Sequence, residues 1–153
     1  MIQFDNVYKT YGRGQDALRN VSFTVGEGEF VFLTGHSGAG KSTLLRLVAL
    51  IESASRGQVI VDGRNLDRIQ RKEVPFYRRR IGFIFQEHRL LPDCSVYDNV
   101  ALPLVVAGHR TTEVNKRVRA ALDKVGLLNK EKSSPRALSR GAQQRVGIAR
   151  AVV

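Results

Sequence analysis

Eight consecutive residues have the types and the spacing that are needed to hold a chain of phosphates. They are Gly35, His36, Ser37, Gly38, Ala39, Gly40, Lys41 and Ser42, and they match the pattern G-x-x-x-x-G-K-[ST]. Glycines let the backbone curl so that successive N–H groups face one anion. The Lys41 ammonium can reach the β- and γ-phosphates, and the Ser42 hydroxyl, with Thr43 next to it, can bind Mg²⁺. This phosphate loop, residues 35–42, therefore predicts a site for a nucleoside triphosphate with Mg²⁺; the alternative is a turn with a structural role only.

The sequence on both sides of the phosphate loop predicts the elements that would position it. Phe30–Thr34 is a largely apolar run that ends at the first glycine, which is typical of a strand buried on both faces. From Lys41 to Leu50 the leucines recur at helical spacing, and a helix that starts here points its positive dipole end at the phosphates. A second apolar run, Ile81–Phe85, ends at Gln86 and predicts another buried strand.

The remaining periodicity predicts an α/β fold with a parallel core sheet. Alternating apolar residues over 2–8 and 21–25 predict an antiparallel β subdomain at the N-terminus. Ser95 and Asp98 have the spacing of a capping box at the start of a helix. Helices are predicted from Val96 to about Ala107, from Thr111 or Thr112 to a cap at Gly126, and through Gln143–Arg150. The predicted parts are the β subdomain with the phosphate-loop core (1–87), a helical subdomain (88–138) and a final helix (139–153).

Composition and charge exclude several classes of protein. Of the 153 residues, 42% are hydrophobic and 25% are charged, which is typical of a folded globular domain rather than a disordered chain. No apolar run is long enough to span a membrane, and the single cysteine, Cys94, excludes an internal disulfide. The net charge of +11 favours an anionic partner. The basic segment Arg64–Arg80 is either a solvated face or a contact for anionic lipid, and no nucleic-acid partner is predicted because no recognised reading element accompanies the charge.

A second motif resembles the signature of a known family. Leu138–Arg145 has the sequence LSRGAQQR, which resembles the L-S-G-G-x-Q-Q-R signature of the ATP-binding cassette (ABC) ATPases. Gln86 stands where these proteins have a glutamine after a buried strand, and Tyr11 stands where they stack an aromatic ring on adenine. The resemblance covers essentially the whole chain, and it implies the P-loop NTPase fold of an ABC ATPase.

The resemblance also implies roles for the site residues. ATP with Mg²⁺ would be bound by Tyr11, by the phosphate loop and by Thr43, and Ser42 and Gln86 would contact the metal. Lys41 and Gln86 are the implied catalytic residues, with Gln86 sensing Mg²⁺ and the attacking water. Ser139 and Gly141 would cover the γ-phosphate of ATP bound to a second copy. The implied active form is therefore a head-to-tail homodimer across two ATP molecules.

Longer stretches resemble the cell-division branch of the family. They are Glu73–Phe76, Val96–Ala101, Ala121–Leu128 and Arg145–Val153. The resemblance implies the ATP-binding subunit of a complex with an FtsX-like transmembrane protein, peripherally associated with the cytoplasmic face of the inner membrane. Lipoprotein-release and macrolide-export ATPases are similar enough to be alternatives. From other classes, a non-hydrolysing ATP-dependent scaffold and a small P-loop kinase are alternatives, although a kinase would not need Leu138–Arg145.

Two departures from the family pattern predict weakened activity. Arg140 replaces the first glycine of the signature. The alternatives are that its charge adds attraction for the γ-phosphate or that its bulk hinders the close approach of a partner, and we expect the hindrance to outweigh the attraction because glycine here allows a backbone contact. After Val153 the family continues with a strand ending in Asp-Glu and later a switch His, none of which this sequence contains. We expect a fold that is incomplete at the C-terminus with exposed apolar surface, weak ATP binding and no appreciable hydrolysis by this chain.

Overall fold

The computed structural model describes residues 1–153, with the exception of the Arg13 side chain. The chain divides into two units, Met1–Arg78 and Arg79–Val153. The phosphate loop lies in the first unit, whereas Gln86 and the signature motif lie in the second. The division into a β subdomain with the phosphate-loop core (1–87), a helical subdomain (88–138) and a final helix (139–153) stays a prediction.

The first unit is built on a four-stranded antiparallel sheet with the strand order β2-β1-β3-β4. The strands are β1 (Ile2–Tyr11), β2 (Gln15–Val25), β3 (Arg56–Val61) and β4 (Arg64–Asn65). Phe4, Val7 and Val59 are buried, and Phe4 is the register partner of Val59. Phe4 stacks on its register partner Phe23 with the ring centroids 4.7 Å apart. The predicted antiparallel part is thereby confirmed.

Two short helices in the first unit support each other. Helix α1 (Lys41–Val48) buries Leu44 and Leu47, and it ends before Leu50, whose φ of +52° is left-handed. Helix α2 (Val74–Arg78) supplies hydrogen bonds to the carbonyl end of α1. The Tyr77 hydroxyl donates to the Val48 carbonyl, and the Arg78 guanidinium donates to the carbonyls of Ala49 and Leu50. Because the last carbonyls of a helix have no partner within it, these bonds fix where α1 ends.

The second unit contains three helices that pack around one core. They are α3 (Val96–Ala107), α4 (Thr111–Lys124) and α5 (Arg140–Val152). Their buried faces are formed mainly by small and branched apolar side chains: Val96, Val100, Leu104, Val114, Val118, Leu122 and Val146. The three helices confirm the predicted helical spacing, with boundaries within a few residues of those expected. None of the helices in the described chain is both long and apolar enough to cross a membrane.

The capping box predicted at the start of α3 is present. The Ser95 hydroxyl accepts from the Asp98 N–H at 3.0 Å, and the Asp98 carboxylate accepts from the Ser95 N–H at 3.1 Å. We expect Ser95→Ala to lower the free energy of unfolding by about 1 kcal/mol, because the Asp98 N–H in the first turn of α3 loses its acceptor. Urea denaturation followed by circular dichroism measures this loss. Thr111→Ala is the control, since Thr111 starts α4 without capping it; an equal effect of both changes would contradict the prediction.

The predicted parallel core sheet is not formed by the described residues. Neither Phe30–Thr34 nor Ile81–Phe85 belongs to a strand, and the one sheet is antiparallel. Phe30 and Phe32 are 84% and 80% exposed, and their rings contact each other edge to face. An apolar run becomes a buried parallel strand only when neighbouring strands complete its ladder. The described chain offers these two runs no such ladder, so their predicted burial as strands is not observed.

Candidate nucleotide-binding site

The backbone of the phosphate loop depends on its glycines. Gly35, Gly38 and Gly40 have φ angles of +149°, +81° and +88°, a region that favours glycine. The Ala39 N–H donates to the His36 carbonyl at 3.2 Å and closes the turn. Gly40 is the N-cap of α1 and has no side chain to accept from the helix. The first N–H groups of α1 are therefore available to an anion.

Gly40 also allows the loop to approach the sheet closely. A Cβ atom at this position would lie 2.4 Å from the Ala17 carbonyl oxygen and 2.8 Å from Leu18 Cδ2. Both residues belong to β2, and Leu18 is buried. Any residue larger than glycine would push the loop away from β2, so the sheet sets where the start of α1 lies.

The Lys41 side chain is held by two backbone carbonyls of the phosphate loop. Its Nζ donates to the carbonyls of Gly35 and His36 at 2.6 and 2.7 Å. Phosphate oxygens can replace these carbonyls, because an ammonium binds a charged acceptor more strongly than a neutral one. Ser42 is exposed next to Lys41, and Thr43 is buried. An ammonium, uncapped N–H groups and an accessible hydroxyl are together the donor set that a triphosphate with Mg²⁺ requires.

Tyr11 lies at the end of β1 and contacts the start of α1. Its ring is half-buried, and its hydroxyl is 3.4 Å from Thr43 Oγ1. Lys9 Nζ lies 5.0 Å from the centroid of the Tyr11 ring, and the Glu52 carboxylate, at 3.0 Å, holds the lysine. The structure thus joins Tyr11 to the helix of the phosphate loop, while its stacking on adenine stays a prediction. Lys9 is not among the predicted site residues, although its position two residues before Tyr11 on the same strand is a signal that the sequence contains.

In the second unit, Gln86 and the start of α5 line one pocket of about 600 Å³. The lining residues are Gln86, Glu87, His88, Arg89, Leu90, Pro92, Pro135, Arg136, Arg140, Gly141, Gln143 and Gln144. Ser139 is the N-cap of α5, and its hydroxyl accepts from the Ala142 N–H at 3.3 Å. The structure therefore brings Gln86 and Gly141 to one pocket and places Ser139 at the beginning of the same helix.

Arg140 and Gly141 form the first, exposed residues of α5. A Cβ atom at Gly141 would meet nothing within 4 Å, so packing in this chain does not require glycine there. The surface at Gly141 is therefore open. Arg140 lines the same pocket, where Arg89 adds positive charge, Glu87 adds negative charge and Arg136 is paired with Asp93 at 3.1 Å. This end of α5 therefore attracts anions through both its dipole and its side chains.

Arg150, at the other end of α5, is a residue that sequence analysis missed. Its guanidinium donates to the His88 carbonyl at 2.8 Å and to the Arg89 carbonyl at 2.9 Å. Burial lowers the pKa of the Arg150 guanidinium from its ordinary value, but the group stays charged at neutral pH. No sequence signal could have found this contact, because every residue type carries a backbone carbonyl.

Comparison with known proteins agrees with these geometries. A sequence profile described as "ABC transporter" matches residues 18–153. The chain therefore belongs to the ABC transporter family, and its fold is that of the family's ATP-binding cassette. It is 57% identical to the cell division ATP-binding protein FtsE of Escherichia coli (strain K12), over 100% of this chain and 69% of that protein. The FtsE of Bacillus subtilis (strain 168) is 44% identical, over 100% of this chain and 67% of that protein.

A solved structure shows the same architecture at high similarity. It is a dimeric ATP-binding cassette in a post-hydrolysis state with ADP and Pi bound. The TM-score is 0.93 at 37% sequence identity, over 99% of this chain and 69% of that one. Such agreement at this identity supports the α/β fold of an ABC ATPase for this chain.

Proposed function

We propose that this chain is the ATP-binding subunit of a bacterial cell-division complex of the FtsE–FtsX kind. The identity of 57% to a cell division ATP-binding protein supports the cell-division role. The proposal that the chain binds a nucleotide rests on one observation. The Lys41 ammonium is bound to backbone carbonyls of the glycine-rich phosphate loop, directly at the start of α1, which has no side-chain cap. A site of this kind binds phosphate chains through main-chain N–H groups and one positive charge.

ATP with Mg²⁺ is the ligand that fits this donor set best. Lys41 exchanges its bonds to the Gly35 and His36 carbonyls for bonds to the β- and γ-phosphates. The N–H groups of residues 38–42 bind the phosphate oxygens, and the Tyr11 ring packs against the adenine. The Ser42 hydroxyl binds the metal, which neutralises negative charge on the phosphates.

The second unit supplies the groups that meet ATP in the proposed dimer. Ser139 and Gly141, at the start of α5, cover the γ-phosphate bound by a second copy, in a head-to-tail homodimer across two ATP molecules. The exposed surface at Gly141 and the positive end of α5 suit this contact. Gln86 lines the same pocket and is the proposed sensor of Mg²⁺ and of the attacking water. The dimeric cassette with bound ADP and Pi supports this arrangement.

The proposed partner is an FtsX-like transmembrane protein, which places this chain at the cytoplasmic face of the inner membrane. Co-purification tests the assignment: the chain is expressed with an affinity-tagged FtsX and, in parallel, with the tagged permease of a lipoprotein-release transporter. We expect the chain to be retained by FtsX and lost from the other permease. Retention by the lipoprotein-release permease alone would contradict the cell-division assignment and favour the transporter alternative. Retention by neither would refute a stable membrane complex of either kind.

A further inference from the structure

The loop that follows Gln86 is held by the far end of the helix that carries the signature motif. Arg150 lies near the end of α5 and is half-buried. Its two donor nitrogens reach two consecutive carbonyls, those of His88 and Arg89, at 2.8 and 2.9 Å. A planar guanidinium suits such a pair of acceptors, because its N–H groups diverge in a fixed geometry, whereas a lysine ammonium presents a single point of charge.

The backbone at this loop adopts a shape that needs support. Arg89 has a φ of +46°, in the left-handed region that non-glycine residues rarely occupy. Its guanidinium lies 4.7 Å from the centroid of the Phe85 ring, so the two residues on either side of Gln86–His88 contact each other. A strained conformation persists only where its surroundings fix it, and the two bonds from Arg150 act at this point.

The other side of the loop is held by α3. Asn99 is fully buried, and its Oδ1 accepts from the Leu91 N–H at 2.7 Å. Its Nδ2 donates to the carbonyls of Leu91 and Ser95 at 3.0 and 2.9 Å. The segment from His88 to Leu91 is therefore tied to α5 by Arg150 and to α3 by Asn99, which leaves Gln86 at the end of a supported loop.

The segment before Gln86 also contacts α5. A Cβ atom at Gly82 would lie 2.2 Å from the Ala151 carbonyl oxygen, so the chain passes directly against the helix next to Arg150. Both approaches to Gln86 thus touch the last turn of α5, while the first turn of α5 lines the same pocket as Gln86. One rigid helix connects the two sets of contacts.

We propose that Arg150 is a positioning residue that sets the loop of Gln86 from the end of the signature helix. Ser139 and Gly141 lie at the first end of α5. At its other end, α5 holds the loop of Gln86 through Arg150. The importance of Gln86 rests on the proposed function, whereas the effect of Arg150 on the loop does not require nucleotide. A movement of α5 against a second copy would therefore be passed to Gln86 through the His88 and Arg89 carbonyls.

Amide exchange and NMR on the nucleotide-free chain test this proposal. In Arg150→Gln we expect the Leu91 amide to exchange about tenfold faster, because local opening of the loop becomes easier. We also expect the side-chain amide signals of Gln86 to move towards the positions of an unstructured glutamine. Arg150→Lys is expected to behave like Arg150→Gln, and guanidinium ion added to Arg150→Ala is expected to restore part of the protection where sodium ion does not.

The matched control is Arg145→Gln, which removes the same charge from an exposed position of the same helix. The amides of Val118 and Leu122 in the helical core report whether a variant is merely destabilised. Loss of protection at Leu91 with these core amides unchanged supports the proposal. Unchanged exchange at Leu91 in Arg150→Gln, or equal losses at Leu91 and in the core, would overturn it. Failure to bind MgATP would refute the proposed function while leaving these results in place.

Discussion

Lys41→Ala is expected to reduce the affinity of the chain for MgATP by about 100-fold or more. The wild-type ammonium makes charge-assisted hydrogen bonds to phosphate oxygens, and bonds to charged groups contribute about 1.5–3 kcal/mol each. A loss of about 2.7 kcal/mol corresponds to a factor of about 100 in the dissociation constant. Isothermal titration calorimetry with MgATP measures the change directly. The variant keeps every N–H group of the loop, so the remaining affinity reports what the backbone alone contributes.

Lys124→Ala is the matched control for this experiment. Lys124 lies exposed in the last turn of α4, in the other unit, and its loss removes the same charge. We expect wild-type affinity in the control and an unchanged circular dichroism spectrum in both variants. Equal affinity of wild type and Lys41→Ala would show that the phosphates are bound elsewhere. If both variants lost the same amount of affinity for MgATP, the effect of Lys41 would be explained by non-specific attraction of ATP to the net positive charge.

Arg140→Gly is expected to strengthen ATP-dependent dimerisation by about tenfold, or about 1.4 kcal/mol. Arg140 is the exposed first residue of α5, beside the open surface at Gly141. In the proposed dimer this surface must come close to a γ-phosphate, and glycine permits a direct contact of the backbone. Glycine in a helix interior costs about 1 kcal/mol, but this cost lowers the stability of the folded monomer and of the dimer alike and does not enter the dimerisation equilibrium. Sedimentation velocity with and without MgATP measures the dimer fraction.

The control for Arg140→Gly is Arg110→Gly, which places the same change at the start of α4. We expect no change in dimerisation from this control. Weaker dimerisation of Arg140→Gly would contradict the account, because it would mean that the positive charge of Arg140 helps to hold the γ-phosphate more than its bulk hinders the contact. Thermal unfolding of both variants separates an effect on the interface from an effect on helix stability.

Local patterns in the sequence predict much of the described structure. The capping box of Ser95 and Asp98 forms as expected, because both partners lie within one turn. The phosphate loop has positive φ angles at all three of its glycines, as the residue types alone suggest. The alternation over 2–8 and 21–25 predicts the two strands that contain Phe4 and Phe23, and these strands are present and antiparallel. In each case the interaction that decides the structure lies within a few residues or within one repeating pattern.

Features that depend on distant backbone could not be predicted. Phe30–Thr34 has the composition of a buried strand, yet a strand needs a ladder that the described residues do not give it. Arg150 donates to the carbonyls of His88 and Arg89, which are distant in the sequence. Because every residue has a backbone carbonyl, the residue types do not indicate which ones will be acceptors. The closeness of Gly40 to Ala17 likewise appears only once β2 and α1 have packed. The periodicity of apolar residues predicts helices and strands, whereas these contacts depend on how the helices, strands and loops pack against one another.

The most direct test of the account is which backbone amides respond when a triphosphate binds. We propose to titrate the ¹⁵N-labelled chain with MgATP, with magnesium tripolyphosphate and with adenosine, and to follow the amide signals by NMR. The account predicts that the signals of Gly38, Gly40, Lys41 and Ser42 move most, with both phosphate compounds and not with adenosine. If these four signals stay in place while MgATP binds, or if adenosine alone reproduces the shifts, the loop is not the triphosphate site and the account is wrong.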